Sequence, residues 1–226
     1  MKVTMCMAIA AVLLAAGCEP FSSSSDKASD PWDDEPNPSD AETNPYGDNY
    51  PARVLALGDS VTAGSTLSGP SYPELVAVYS GKQVFNEGVG GALSADGASR
   101  ITPLLSVLQP GYVMILYGIN DVIHLGDADW TVSNLRTMIE AARANKTVPI
   151  VGTIPPRYRG DGVFDVRHTE LNAKIRAMAR EEDVRLADIE VVFNYDKSLL
   201  QDDGFHPNED GNQLIAVTFY MLLVAP

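Results

Sequence analysis

The 226-residue chain is 45% hydrophobic and 20% charged, enough for one α/β domain with a substantial core and too little for two full ones. Its formal net charge of -14 and pI near 4.4 exclude nucleic-acid binding, which needs a basic footprint to meet phosphate. The same charge opposes adsorption to an anionic membrane surface.

The first residues have the form of an export signal. Lys2 supplies a positive start, residues 5–16 are apolar, and small residues follow. The apolar run is shorter than the roughly 20 residues that a transmembrane helix needs. Leu14-Ala15-Ala16-Gly17-Cys18 resembles a bacterial lipobox, which implies removal of residues 1–17 and lipidation of the Cys18 thiol. Cys6, the other cysteine, leaves with the leader, so no intramolecular disulfide is expected in the mature chain. Glu19 is not the Asp that resembles an inner-membrane retention signal, which points to the outer membrane where a host has one.

Residues 18–50 are dominated by Ser, Asp, Glu, Pro and Asn, with Trp32 and Tyr46 as isolated aromatics. Such a segment buries too little apolar surface to offset its ordering entropy. It reads as a disordered acidic tether that holds the domain on the order of 30 Å from the lipid.

Residues 51–226 alternate short apolar runs with helical patterns. Runs at 53–57, 83–85, 112–116, 149–154 and 184–187 predict five buried parallel strands. Helical spacing relates Val132, Leu135, Met138, Ile139 and Ala142, then Leu171, Ile175 and Met178, and finally Ile215, Phe219 and Leu222. These stripes predict an α/β domain with helices covering a five-stranded parallel sheet, and ligands bind such sheets at the C-terminal strand ends.

The residues able to do chemistry fall at those ends. Gly58-Asp59-Ser60 follows the first strand and presents a hydroxyl where the chain turns into a helix. A serine becomes a nucleophile only with a neighbouring base, itself oriented by a third group. His168 opens a helix and reads as a surface or capping residue, and His124 sits in the loop after the third strand. His206 lies in the turn-rich Asp202-Asp203-Gly204-Phe205-His206-Pro207-Asn208, where Asp203, more than Asp202, can accept the Nδ1 proton and leave Nε2 to face Ser60. Gly90-Gly91 and the Asn120 amide of Gly118-Ile119-Asn120-Asp121 are candidate donors to an oxyanion. Ile123, His124, Ile154, Pro156, Arg157 and Tyr158 border the same edge and are expected to wall a substrate pocket. No metal or organic cofactor is implied, because His206 with Asp202 and Asp203 lacks a third nitrogen or sulfur ligand.

Gly58-Asp59-Ser60, residues 86–91, residues 118–121 and residues 203–206 together resemble, in order and spacing, the four sequence blocks of SGNH (GDSL-like) hydrolases, across nearly all of residues 52–222. The resemblance implies a three-layer α/β/α flavodoxin-like fold. It also implies Ser60 as nucleophile and oxyanion donor, Gly91 and Asn120 as the other donors, and His206 as a base held by Asp203. Gly91, rather than Gly88 or Gly90, follows from aligning Asn86 with the family's Asn. The implied activity is hydrolysis of a small-molecule, lipid or glycan ester by a monomeric, membrane-anchored envelope lipoprotein. Ile119 replaces the Gly that often precedes the Asn in the thioesterase-like branch. Thioesterases, lysophospholipases and carbohydrate acetylesterases share the four blocks, and a non-catalytic glycan-binding lipoprotein is the alternative of another class.

Overall fold

A computed structural model of the protein describes residues 44–124, 127–158 and 166–225. Five strands, β1 (Tyr50–Gly58), β2 (Gln83–Gly88), β3 (Pro110–Leu116), β4 (Val148–Gly152) and β5 (Arg185–Ala187), pair in parallel in the order β2-β1-β3-β4-β5. The direction of winding reverses between β1 and β3, and the loops leaving those two strands diverge to leave a crevice at the C-terminal edge.

Alternation along the strands sends one set of side chains to each face. Leu55, Leu57, Val113, Ile115 and Val151 pack beneath α3 (Ser94–Leu108), α5 (Ala128–Ala144) and α6 (Val166–Glu181). Val54, Ala56, Tyr112, Met114, Leu116 and Ile150 pack against α2 (Tyr72–Ser80) and α8 (Glu209–Leu223). Both faces are covered, which is why the strands read as continuous apolar runs. Each fully buried aliphatic side chain contributes about 1.5–3 kcal/mol relative to exposure. The helices beside the site are capped by their own sequence. Ser71 and Glu74 form a capping box at α2, and Asn208 Oδ1 accepts from Gly211 N at 3.0 Å to start α8, whose first turn carries Glu209 and Asp210 against the helix dipole.

The fold departs from the sequence expectation at three places. Residues 44–49, assigned by composition to the tether, belong to the domain: the Tyr46 hydroxyl meets that of Tyr112, and Asn49 is buried and donates to Asn145 O. β4 stops at Gly152, short of residue 154, because the Asn172 side-chain amide takes both the N–H and the carbonyl of Ile154 in place of a neighbouring strand. His168, expected at the surface, is completely buried in α6. The leader, Cys18 and the rest of residues 1–43 lie outside the described residues.

Candidate active site

β1 ends at Gly58, and Asp59 caps a short helical turn, α1 (Ser60–Ala63), by accepting from Val61 N at 2.9 Å. Ser60 therefore opens α1 directly above the sheet edge, 9% exposed. The end of β2 presses on this turn so closely that a Cβ at Gly88 would lie 2.2 Å from Ala63 N, a contact only glycine permits. Asn86 ties the two together, donating to Thr62 O at 2.9 Å and accepting from Gly88 N at 3.0 Å. Burial pushes the Asp59 carboxyl up to about 7; the Val61 N–H opposes the shift and nearby Asp121 adds to it.

The opposite wall is the loop between Leu200 and Asn208. Gln201 N donates to His206 O (2.8 Å) and Gly204 N to Gln201 O (2.9 Å), closing the loop on itself. Within it, Asp203 Oδ1 accepts from the main-chain N–H groups of Phe205 (3.1 Å) and His206 (3.0 Å). Asp203 Oδ2 lies 2.6 Å from His206 Nδ1, and His206 Nε2 lies 2.9 Å from Ser60 Oγ. Residues 203 and 206 thus meet a hydroxyl 146 positions away in the chain. Partial burial pushes the Asp203 carboxyl up, but the bonds from His206 and from the two N–H groups outweigh it and hold the group below the ordinary carboxylate range. A carboxylate there fixes the proton on Nδ1 and aims the Nε2 lone pair at the hydroxyl.

Gly91 follows the end of β2, and Asn120 follows the end of β3. Gly91 has φ +76° and open space where a Cβ would stand. Asn120, near the start of α4 (Ile119–His124), donates from Nδ2 to the carbonyl of Ala92, the residue after Gly91, at 3.0 Å. Buried Asp121 pins this corner by accepting from Ser94 N (3.1 Å), Ser94 Oγ (2.5 Å) and Thr131 Oγ1 (3.3 Å). A hydroxyl, an imidazole and a carboxylate in series make up the nucleophile, base and orienting acid of acyl transfer.

Residues 56–214 match the model of the GDSL-like lipase/acylhydrolase family. The chain belongs to that family. It is 31% identical over 168 residues to thioesterase 1/protease 1/lysophospholipase L1 of Escherichia coli K12, covering 72% of this chain and 79% of that one. It is also 30% identical over 123 residues to the uncharacterized lipoprotein YqeF of Bacillus subtilis, over 48% and 51% of the two chains. The carbohydrate esterase family 3 structure from Talaromyces cellulolyticus superposes with a TM-score of 0.63 at 25% identity, covering 76% of this chain and 96% of that one. As a GDSL-like hydrolase the protein is an ester hydrolase with the α/β fold of its family.

The expected pocket wall divides. Ile123 is half-buried and His124 exposed at the end of α4, beside Asn120. Ile154, in contrast, is 1% exposed and packs in the core between sheet and helices, so its side chain does not line the crevice. Tyr158 is engaged by the protein itself: its N–H donates to Gly204 O (2.8 Å), its hydroxyl to Tyr195 O (2.7 Å), and the Lys197 ammonium sits 4.1 Å above its ring. Pro156 is buried and Arg157 half-buried in the same segment. Asp202 is exposed and stands outside the Asp203–His206 bonds. Sequence reasoning missed the anchoring role of Asp121 and the ring contact of Phe205 on His206, centroids 4.1 Å apart. A carboxylate embedded between apolar Ile119 and Val122 was the available signal for Asp121.

Proposed function

We propose that the protein is a serine esterase working through an acyl-enzyme. Ser60 Oγ attacks the carbonyl carbon of a carboxylic ester while His206 Nε2 takes the hydroxyl proton. His206 returns that proton to the leaving alcohol. Water, deprotonated by the same imidazole, then adds to the acyl carbon and releases the acid and Ser60. Asp203 keeps the imidazole in the required tautomer and balances its positive charge in both halves of the cycle. The main-chain N–H groups of Ser60 and Gly91 and the Asn120 amide receive the charge that develops on the carbonyl oxygen, an effect worth roughly 3–4 kcal/mol per donor in related chemistry.

The observation that carries the reading is the unbroken series Asp203 Oδ2 to His206 Nδ1 at 2.6 Å and His206 Nε2 to Ser60 Oγ at 2.9 Å. The full chain is expected to hydrolyse p-nitrophenyl acetate and to take a fluorophosphonate label on Ser60. Ser60→Ala should lose at least about 10³-fold in kcat and all labelling. Parental activity in that variant would reject the mechanism.

The substrate class rests on two likenesses. The Escherichia coli relative is named a thioesterase and lysophospholipase, and the Talaromyces neighbour a carbohydrate esterase. Ile123 and His124, beside Asn120, are the side chains proposed to meet the substrate. We assign residues 1–17 to a leader and Cys18 to lipidation, which makes the protein an envelope lipoprotein. Support comes from the lipobox-like sequence and the likeness to a Bacillus lipoprotein. Among the described residues no helix is long and apolar enough to cross a membrane. Cys18→Ser should therefore move the protein from the membrane fraction to the soluble one; unchanged retention would show a different anchor.

A further inference from the structure

A polar cluster lies under the segment that follows β4, away from the reacting groups. His168 and Asn172, one turn apart on α6, and Thr153 are completely buried, and Glu190, in α7 (Ile189–Phe193), is 3% exposed. His168 Nδ1 lies 3.2 Å from Glu190 Oε1, and its Nε2 lies 3.0 Å from Ile154 O. Asn172 accepts from Ile154 N at 2.9 Å and donates to Ile154 O at 3.0 Å. Arg176 Nη2 holds Glu190 Oε2 at 2.7 Å, and Arg176 grips Asp188 through Nε (2.8 Å) and Nη2 (2.6 Å). Thr153 Oγ1 joins the two acids, donating to Asp188 Oδ1 and accepting from Glu190 N. Burial pushes the Glu190 carboxyl up, but His168 and Arg176 more than offset this and keep it low, so the cluster holds a carboxylate where an isolated one would be costly.

Groups buried this expensively have a narrow choice of position, and the position they fix is that of Ile154. From there the chain runs through Pro155 and Pro156, both buried, whose rings lock φ and remove two N–H donors. Such a pair is a stiff spacer. Beyond the pair, past half-buried Arg157, the chain reaches Tyr158, whose N–H donates to Gly204 O at 2.8 Å. Gly204 has φ +79°, and a Cβ there would approach Tyr158 O to 3.0 Å, so the two main chains lie in contact. Gly204 stands between Asp203 and His206.

We propose that His168 is a positioning residue for the triad, holding Ile154 against Glu190 so that the Pro155-Pro156 spacer and Tyr158 set the height of the Asp203–His206 loop over Ser60. The inference rests on the serine-esterase reading above. It distinguishes the buried imidazole from the reacting one: His168 contacts no substrate and acts through main chain alone. A loop displaced by a fraction of an ångström keeps its fold but lengthens the bond between His206 and Ser60, which costs rate and leaves binding of a small ester unchanged.

The test uses the full chain, p-nitrophenyl acetate as substrate, and thermal melts to count folded protein. His168→Leu roughly keeps the volume and removes the ring's polar contacts to Glu190, Ile154 O and Asn172 Nδ2. It should lower kcat about 10- to 100-fold with KM within about twofold of the parent. His168→Gln, whose amide reaches the Ile154 carbonyl, should recover most of the loss. Pro156→Gly leaves the cluster intact and softens the spacer, and should lower kcat in the same pattern. Parental kcat in folded His168→Leu or in Pro156→Gly overturns the proposal, as does a His168→Gln no better than the Leu variant. If His168→Leu does not fold, Pro156→Gly decides alone. Ser60→Ala measured alongside separates the two failures: activity surviving in it defeats the esterase mechanism, whereas activity lost there but kept in the other variants defeats only the strut.

Discussion

The two sides of the triad are held by different forces. Ser60 stands on the sheet: β1 delivers it, Asp59 caps its turn from inside the protein at 1% exposure, and β2 crowds it through Gly88. His206 stands on a loop that no strand enters, and the Asp203 side chain that orients it is 37% exposed. Hydrogen bonds do the holding there: Asp203 Oδ1 accepts from two N–H groups within the loop, and Tyr158 N donates to Gly204 O from outside it. The nucleophile is thus placed by the same packing that stabilises the domain, and the base by polar contacts that contribute little to its stability. Substitutions on the first side should show in melting, and those on the second in turnover.

Asp203→Asn is the largest expected effect. The new Oδ1 can still accept from Phe205 and His206 N–H, so the loop keeps its shape. The amide NH₂, however, places a donor against Nδ1 and forces the ring proton onto Nε2, where it faces Ser60. We expect kcat to fall about 10⁴-fold. The melting midpoint should move by no more than roughly 2 °C, the size of a change below 1 kcal/mol in a domain of this length. A large fall in midpoint with a small fall in kcat would reverse the comparison between the two sides.

The same division governs what could be read in the sequence. Continuous apolar runs and helical stripes report burial, and burial built the sheet, so all five strands and the helices bearing Leu135, Ile175 and Ile215 were legible. The residues of the reacting series were legible because each occupies a short turn with a chemically specific side chain, Ser60 at the end of β1 and Asp203 and His206 in the turn before α8. Tyr158 and His168 were not. Tyr158 sits in a segment without periodicity, and nothing local distinguishes an aromatic that walls a pocket from one whose N–H braces a loop 46 positions away. His168 falls in register with Leu171, Ile175 and Met178 on the buried stripe of α6, but a histidine at the start of a helix reads as a cap unless its buried partner is known. Ile154 failed for a related reason: it follows a strand whose ladder ends early because a helix side chain, Asn172, replaces it. The end of the tether was misplaced because Asn44 and Asn49 look like linker residues, while Asn44 closes a local turn on Gly47 O and Asn49 donates to Asn145 O across the domain.

Asp59 sharpens the nucleophile side. In the folded protein its carboxyl keeps its proton up to about 7, whereas in the unfolded chain the proton leaves near 3.8. Between those values the folded state binds the extra proton, so the contribution of Asp59 to stability falls as pH rises through the window and levels off above it. Asp59→Asn removes that titration and retains an oxygen for the Val61 N–H. Relative to the parent, the variant should therefore gain about 1 kcal/mol of stability for each pH unit across the window, read from urea midpoints at pH 4, 5.5, 7 and 8. A difference between parent and variant that stays constant with pH would mean that Asp59 is ionised in the folded protein throughout.

The smallest expected effect tests the steric half of the comparison. Gly88 carries no chemistry, yet a methyl group there must displace the backbone of Ala63 or the end of β2, since neither Ala63 N at 2.2 Å nor the Thr62 carbonyl carbon at 2.7 Å is a flexible side-chain tip. Overpacking of this kind costs about 1–3 kcal/mol, which for a domain of this size lowers the melting midpoint by roughly 2–10 °C. The displaced backbone belongs to the turn that begins with Ser60, so kcat should fall with the midpoint, in contrast to Asp203→Asn, where rate is lost alone. Gly88→Ser should behave as Gly88→Ala does, because the Cβ and not its substituent makes the contact. An unchanged midpoint in both variants would show that β2 can retreat from α1 at no cost, and that Ser60 is placed by its own turn without the neighbouring strand.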